Sequence, residues 1–338
     1  MTPEAEADPV PDSVDEFDWI ARCLAPLAAG APEGLGLADD AALIEGRPGQ
    51  SLVISKDAMV EGVHFLPDDP PELVARKLLR VNLSDLAAKG AQPYGYFLAA
   101  AWPKARGWAQ RQAFAAGLAE DQAAFGLSLF GGDTVSTPGP LTLSLTILGW
   151  VRHGRMVRRA GARAGDVVLV SGTIGDGALG LEAARGGLAE LDEAHRQALA
   201  GRYRLPQPRN AVAGLLQAHV RAAADISDGL IADAGHVAKA SGVRLSLDLD
   251  RLPLSPAAAA WLARQPDATA ARLHLATGGD DYELVCVLDP ADMDGFRAQA
   301  LGLGVAFTPI GHATRGEGVE VSAGQALVPV ARTGYRHG

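Results

Sequence analysis

Apolar runs in this chain repeatedly meet aspartate, and that pattern constrains its folding more than any other feature. "ADISDGLIAD" sets Asp225, Asp228 and Asp233 among small and aliphatic residues. The same juxtaposition occurs in "ADDAALI" (Asp39, Asp40), "ISKD" (Asp57), "NLSD" (Asp85) and "FGGD" (Asp133). Carboxylates gathered in one place repel: two unit charges 4 Å apart interact by about 4 kcal/mol at an effective dielectric of about 20. Any one of these aspartates reads as a helix N-cap or a turn residue. As a set they read as carboxylates at strand ends, facing the crevice where α/β proteins bind ligands. An all-oxygen donor set suits Mg2+ or Mn2+ and not zinc. Divalent ions would turn a repelling cluster into a phosphate clamp.

Between the aspartates, β-rich runs alternate with helical ones. "SLVISKD", "YGYFLAAAW", "LSLFGGD" and "LTLSLTILGWV" read as strands. Pro70–Ala91 and Gly107–Gly126 read as helices bounded by Pro and Gly signals. The basic stretch Arg152–Asp166 reads as a link. Beyond it come the strand "VVLV", a Gly-rich turn and a helix, then the strands "VRLSLDLD" and "DYELVCVL", a helix over Pro290–Leu301, and short β pieces at "FTPIGHA" and "GVEVSA". The expected class is therefore α/β (α+β). With 338 residues, two domains are expected: 16–150 and 151–338, preceded by an acidic, disordered tail over 1–15. "NLSDLAAKGA" from Asn82 echoes "DISDGLIADAG" from Asp225, either as two related half-sites or by chance.

Bulk properties narrow the function classes. A net charge of −10 disfavours nonspecific binding to nucleic acid or to an anionic membrane. Cys23 and Cys286 form no CxxC pair, which fits a reduced, cytoplasmic protein without a structural zinc site. The longest apolar stretch, Leu141–Val151, has 11 residues and is too short to span a bilayer. No GxxxxGK[ST] loop or HRD…DFG set is present. "SGTIGDGALG" (Ser171–Gly180) reads as a phosphate cradle or as a plain strand-to-helix turn. His64 is a ligand contact or an ordinary loop histidine, and Arg159 a phosphate fork or a surface arginine.

Six motifs occur in order: "SKDAMVEGVHF", "KLLRVNLSDLAAKGAQP", "FGGDTV", "RAGARAGDVVLVSG", "ADISDGLIADAGHV" and "TGGDDYEL", with "GYRH" near the end. Together they resemble the thiamine-monophosphate kinases, part of the aminoimidazole ribonucleotide synthetase-like superfamily. The resemblance implies a two-domain architecture and a homodimer in which N-terminal sheets pair. It implies Mg2+-assisted, in-line transfer of the γ-phosphoryl group of ATP to thiamine monophosphate. Carried over position by position, Asp40, Ser55, Asp57, Asp85, Asp133, Asp225 and Asp228 would bind several Mg2+ ions. Gly132, Asp133, Arg159 and Ser227 would contact ATP, and His64, Asp280 and Tyr335 would line the thiamine phosphate site. Asp57, Asp85, Asp133 and Arg159 would carry the chemistry.

An acceptor that is itself a phosphate, with a second pKa of about 6, needs no general base at neutral pH. The obstacle is repulsion between two polyanions, which metals and Arg159 would relieve. Three positions depart from the family pattern: Ala38 replaces Gly in "LADD", Lys56 stands where Thr is usual, and "GGDD" replaces Gly-Gly-Glu-Asp, which makes Asp280 one methylene shorter. Two rival readings remain. One is another ATP-dependent member of the superfamily, such as an aminoimidazole ribonucleotide synthetase. The other is a catalytically silent nucleotide- or thiamine-phosphate-binding protein, for which Lys56 is the only argument.

Overall fold

A computed structural model describes residues 16–335. The acidic segment 1–15 and the end of the "GYRH" motif lie outside the described residues. The chain forms two compact units. The described residues up to Glu45, with Lys56–Leu79 and Gly95–Thr146, make the first; Gly46–Ser55, Arg80–Tyr94 and the chain from Ile147 make the second.

Four strands, β1 (Gln50–Val60), β2 (Gln92–Pro103), β3 (Leu129–Thr137) and β4 (Thr142–Arg152), form one sheet in the order β1-β4-β2-β3. β2 and β3 run parallel, with Leu98 opposite Gly132 and Ala99 opposite Asp133. Successive side chains of a strand point to opposite faces. In β1, Val53, Ser55, Asp57 and Met59 therefore share one face, and exposed Ile54, Lys56 and Ala58 take the other. The helices α1 (Pro71–Ala88) and α2 (Trp108–Phe125) fall where Pro and Gly signals predict them, and Gly126 closes α2 in a left-handed cap.

In the first unit, Trp102 meets Trp19 and Phe114 edge-on, with ring centroids 5.9 and 5.3 Å apart. Buried Asp121 of α2 pairs with Arg76 of α1 at 3.0 Å. The two helices approach so closely at Gly117 that an added Cβ would lie 2.2 Å from the Glu72 carbonyl oxygen.

The second unit is built on a seven-stranded sheet: β5 (Val167–Ser171), β6 (Val220–Ile226), β7 (Arg244–Asp248), β8 (Glu283–Leu288), β9 (Phe307–Thr314), β10 (Gly318–Ala323) and β11 (Ala326–Leu327). Their order is β11-β10-β7-β9-β5-β8-β6, antiparallel except between β7 and β10. This is an α+β arrangement, within the class expected from sequence.

Both faces of this sheet are covered, which explains the continuous apolar runs. Val168, Val170, Ala222, Ala224, Ile226, Val285 and Val287 enter one core with Ile231, Ala234 and Val237 of α5 (Leu230–Ser241). Leu169, Ala223, Leu284, Cys286 and Leu288 enter the other, with Ala87 and Ala88 of α1 and with Phe296 and Ala300 of α7 (Met293–Gly302). The remaining long helices are α3 (Asp176–Ala184), α4 (Glu193–Arg204) and α6 (Ala268–Thr277).

The Gly117 contact gives a stability test. Alanine in a helix interior is favoured over glycine by about 1 kcal/mol, whereas overpacking costs about 1–3 kcal/mol. Gly117→Ala is therefore expected to lower the unfolding free energy in urea despite its better propensity. A stabilised variant would show that the helices separate readily there.

Candidate active site

In the first unit, β3 brings a carboxylate to a cavity. An added Cβ on Gly132 would lie 1.8 Å from the Leu98 carbonyl oxygen, so only glycine permits this approach of the two strands. Asp133 follows, exposed, and lines a cavity of about 320 Å3 together with Asp39, Asp40 and Gly132. Apolar Ile20, Leu24, Leu37, Phe97 and Phe130 line it as well. Three carboxylates among apolar groups, in a space of ligand size, make a polar-tipped binding pocket. Asp57 and His64 belong to the same unit but do not line this cavity. Asp57 is half-buried on β1. His64, in the turn after β1, accepts the Val60 N–H at Nδ1 (3.0 Å). Lys77 Nζ donates to its carbonyl at 3.0 Å.

The second unit gathers another group. Asp225 shares the strand parity of Ala223 and so faces the core that receives Ala87 and Ala88. Asp85 lies one helical turn before Lys89, and Ser55 Oγ donates to Asp85 Oδ2. Lys89 Nζ donates to the Ala223 carbonyl at 3.2 Å. Burial, and then the charges of Asp85 and Asp233, push the Asp225 carboxyl well above the usual carboxylate range. Burial lowers the Lys89 ammonium, against the pull of Asp225.

The third group surrounds the loop after β6. Ser227 and Asp228 donate their backbone N–H groups to Asp233 Oδ2 at 3.0 and 3.1 Å. Asp233, at the fourth position of α5, thus reaches back to cap its own helix start. Burial holds its carboxyl up at about 7. The Asp280 N–H donates to the Ser227 carbonyl at 2.9 Å, and the Tyr335 N–H to the Asp228 carbonyl at 2.9 Å. Ser227, Asp228, Asp280 and Tyr335 are therefore neighbours, although 108 residues separate Ser227 from Tyr335 in sequence. Arg159 is exposed, with its carbonyl accepting from Ser241 Oγ at 3.1 Å, and its charge acts on both Lys89 and Asp233.

Several sequence readings change. Of the aspartates expected at strand ends, only Asp225 and Asp228 stand at one. Asp85 lies within α1, Asp57 and Asp133 within strands, and Asp39 and Asp40 in a loop. The echo between Asn82 and Asp225 is no repeat of local structure, because one copy is helical and the other runs from strand to turn to helix. The Gly-rich turn before α3 is already filled from within: Asp281 accepts the Gly175 and Gly177 N–H groups at 2.8 and 2.9 Å, so the protein's own carboxylate takes the place a phosphate would use. Lys56 points away from the face of Ser55 and Asp57, which removes the argument for a silent site. Lys89, Asp233 and Asp281 were not among the expected site residues. The Asp85–Lys89 spacing of four was the signal for the first; the other two depend on loop closure.

Among the described residues, no three His, Cys, Asp or Glu side chains form a group that could hold a metal ion. The raised Asp225, close enough to Asp85 to feel its charge, is a place where a cation would offset an existing cost.

Residues 38–151 match the family model "AIR synthase related protein, N-terminal domain", and residues 163–324 match the corresponding C-terminal domain. A thiamine-monophosphate kinase of Caulobacter vibrioides is 54% identical over 323 residues, covering 96% of this chain and 91% of that protein. This chain belongs to the thiamine-monophosphate kinase family. The crystal structure of the thiamine-monophosphate kinase from Stenotrophomonas maltophilia matches with a TM-score of 0.80 and 37% identity, over 92% of this chain and 97% of that one. A structure titled AaThiL complexed with AMPPCP and TMP matches at 0.73 and 30% identity, over 83% and 86% of the two chains. Likeness to family members thus runs through both family domains.

Asp281 generates a pH prediction. Burial raises its carboxyl to about 8, whereas an unfolded aspartate titrates at about 4. Between those values the folded state holds the extra proton, so this group's contribution to stability falls as pH rises through that window. Asp281→Asn should flatten the decline in urea-derived stability between pH 5 and 8. Parallel curves for the two proteins would contradict this assignment.

Proposed function

We propose that this chain transfers the γ-phosphoryl group of ATP to the phosphate of thiamine monophosphate, giving ADP and thiamine diphosphate. The carrying observation is 54% identity to a thiamine-monophosphate kinase across 96% of the chain. The AaThiL structure that holds AMPPCP and TMP together supports a nucleotide donor and a phosphate acceptor bound at once.

The residues suggest how the work is divided. Gly132 lets the backbone of β3 approach the nucleotide, and Asp133 and Ser227 contact it. Asp40, Ser55, Asp57, Asp85, Asp133, Asp225 and Asp228 are the candidate ligands of Mg2+, which when bound would neutralise phosphate charge. Arg159, exposed and uncommitted to any ion pair among the described residues, would draw the donor and acceptor phosphates together. His64, Asp280 and Tyr335 would orient the acceptor. The acceptor phosphate is mostly dianionic at neutral pH and attacks without a general base. Rate enhancement then comes from positioning and charge neutralisation of an in-line transfer, with no phosphoenzyme.

We propose further that the protein acts as a cytoplasmic homodimer and takes neither nucleic acid nor membrane as a partner. No described helix is long and apolar enough to cross a membrane.

With ATP and Mg2+, turnover is expected with thiamine monophosphate and not with thiamine or an aminoimidazole precursor. Nucleotide binding without turnover would favour the silent binder, and turnover with the precursor the superfamily rival. Asp85→Asn should lower kcat on the order of a hundredfold or more with an unchanged circular dichroism spectrum. Near-normal turnover would remove Asp85 from the metal set.

A further inference from the structure

The turn from Asp280 to Tyr282 is strained and heavily tied down. Asp280 and Tyr282 adopt φ of +69° and +50°, a region that residues with a Cβ enter at a cost and keep only when their surroundings impose it. Between them, the Asp281 carboxylate is fully buried on the start of α3. The Asp280 and Tyr282 N–H groups donate to the carbonyls of Ser227 and Ile226 at 2.9 and 2.8 Å. Tyr282 Oη donates to Asp280 Oδ1 at 3.0 Å, which fixes the direction of that carboxylate.

One side chain outside the turn grips both the turn and the strand that follows it. Arg202, near the end of α4, donates through Nη2 to the Asp281 carbonyl and to Glu283 Oε1, both at 3.1 Å. Glu283 is fully buried and also receives the Arg209 guanidinium and, at 2.5 Å, Ser171 Oγ. Arg209 already neutralises Glu283 through two hydrogen bonds. Arg202 adds the link from this buried carboxylate to the main chain at the centre of the strained turn.

We propose that Arg202 is a positioning residue for the acceptor: by holding the Asp281 carbonyl against Glu283, it keeps the Asp280 carboxylate aimed for thiamine monophosphate. This rests on the reading that Asp280 lines the acceptor site. Arg202 touches no substrate itself. Its loss should act mainly on the acceptor: the turn itself carries none of the residues assigned to ATP, and Ser227, which is so assigned, meets it only through its backbone carbonyl.

The experiment compares Arg202→Gln, Arg202→Lys and Asp280→Asn in the full-length protein. Arg202→Gln is expected to raise KM for thiamine monophosphate about tenfold or more, with KM for ATP within twofold of wild type. Arg202→Lys, which keeps the cation but not the fork, should lie between. It also serves if the Gln variant fails to fold. Amide exchange at Asp280 and Tyr282 should quicken in both Arg202 variants while Val285 and Val287 stay protected. Equal changes in both KM values, or unchanged KM and exchange, would overturn the proposal. If Asp280→Asn leaves the acceptor KM unchanged, the acceptor-site reading fails and the inference with it. If Asp280→Asn raises that KM and the Arg202 variants do not, only the role of Arg202 is lost.

Discussion

The buried carboxylate of Asp225, within range of the charge on Asp85, sets terms for much of the second unit. A strand side chain that faces an apolar core must be neutralised, paired or given a cation. The surroundings supply a partial answer: Lys89 reaches the Ala223 carbonyl, and Ser55 donates to Asp85. These contacts leave the Asp225 carboxyl raised. Asp225 is thus a buried acid whose local partners offset only part of the cost of its burial.

The same economy of charge recurs nearby with a different outcome. Asp233 and Asp281 are buried carboxylates whose acceptor capacity is used by backbone N–H groups, at the start of α5 and before α3. They fix loops in place and are not free for ligands. Glu283 is buried too, and is matched by two arginines. Four buried acids with separate solutions show that an acid in an apolar stretch does not by itself indicate chemistry; its partners decide.

That distinction explains what could be read from sequence. The strands and helices were legible because Pro, Gly and alternation mark their bounds: "SLVISKD" lies in β1, and Pro70–Ala91 holds α1. The family was legible because short motifs spread over 230 residues, from Ser55 to Leu284, kept their order. The Gly-rich turn was not decidable, since the carboxylate that fills it comes from Asp281, 104 residues beyond Gly177 in sequence. Nor was the strand-end placement of Asp85 and Asp133 right: an acid inside a helix or strand is brought to a site by packing, and apolar periodicity does not record packing partners. Lys56 looked like a lost ligand until the pleat of β1 showed which way it faces.

Cys286 lies in the middle of β8, fully buried between its neighbours β5 and β6, and burial keeps its thiol protonated. A thiol reagent can meet it only when the central ladder parts. Its labelling rate is thus a clock for rare openings of the sheet, carried by the unaltered chain and needing no engineered probe.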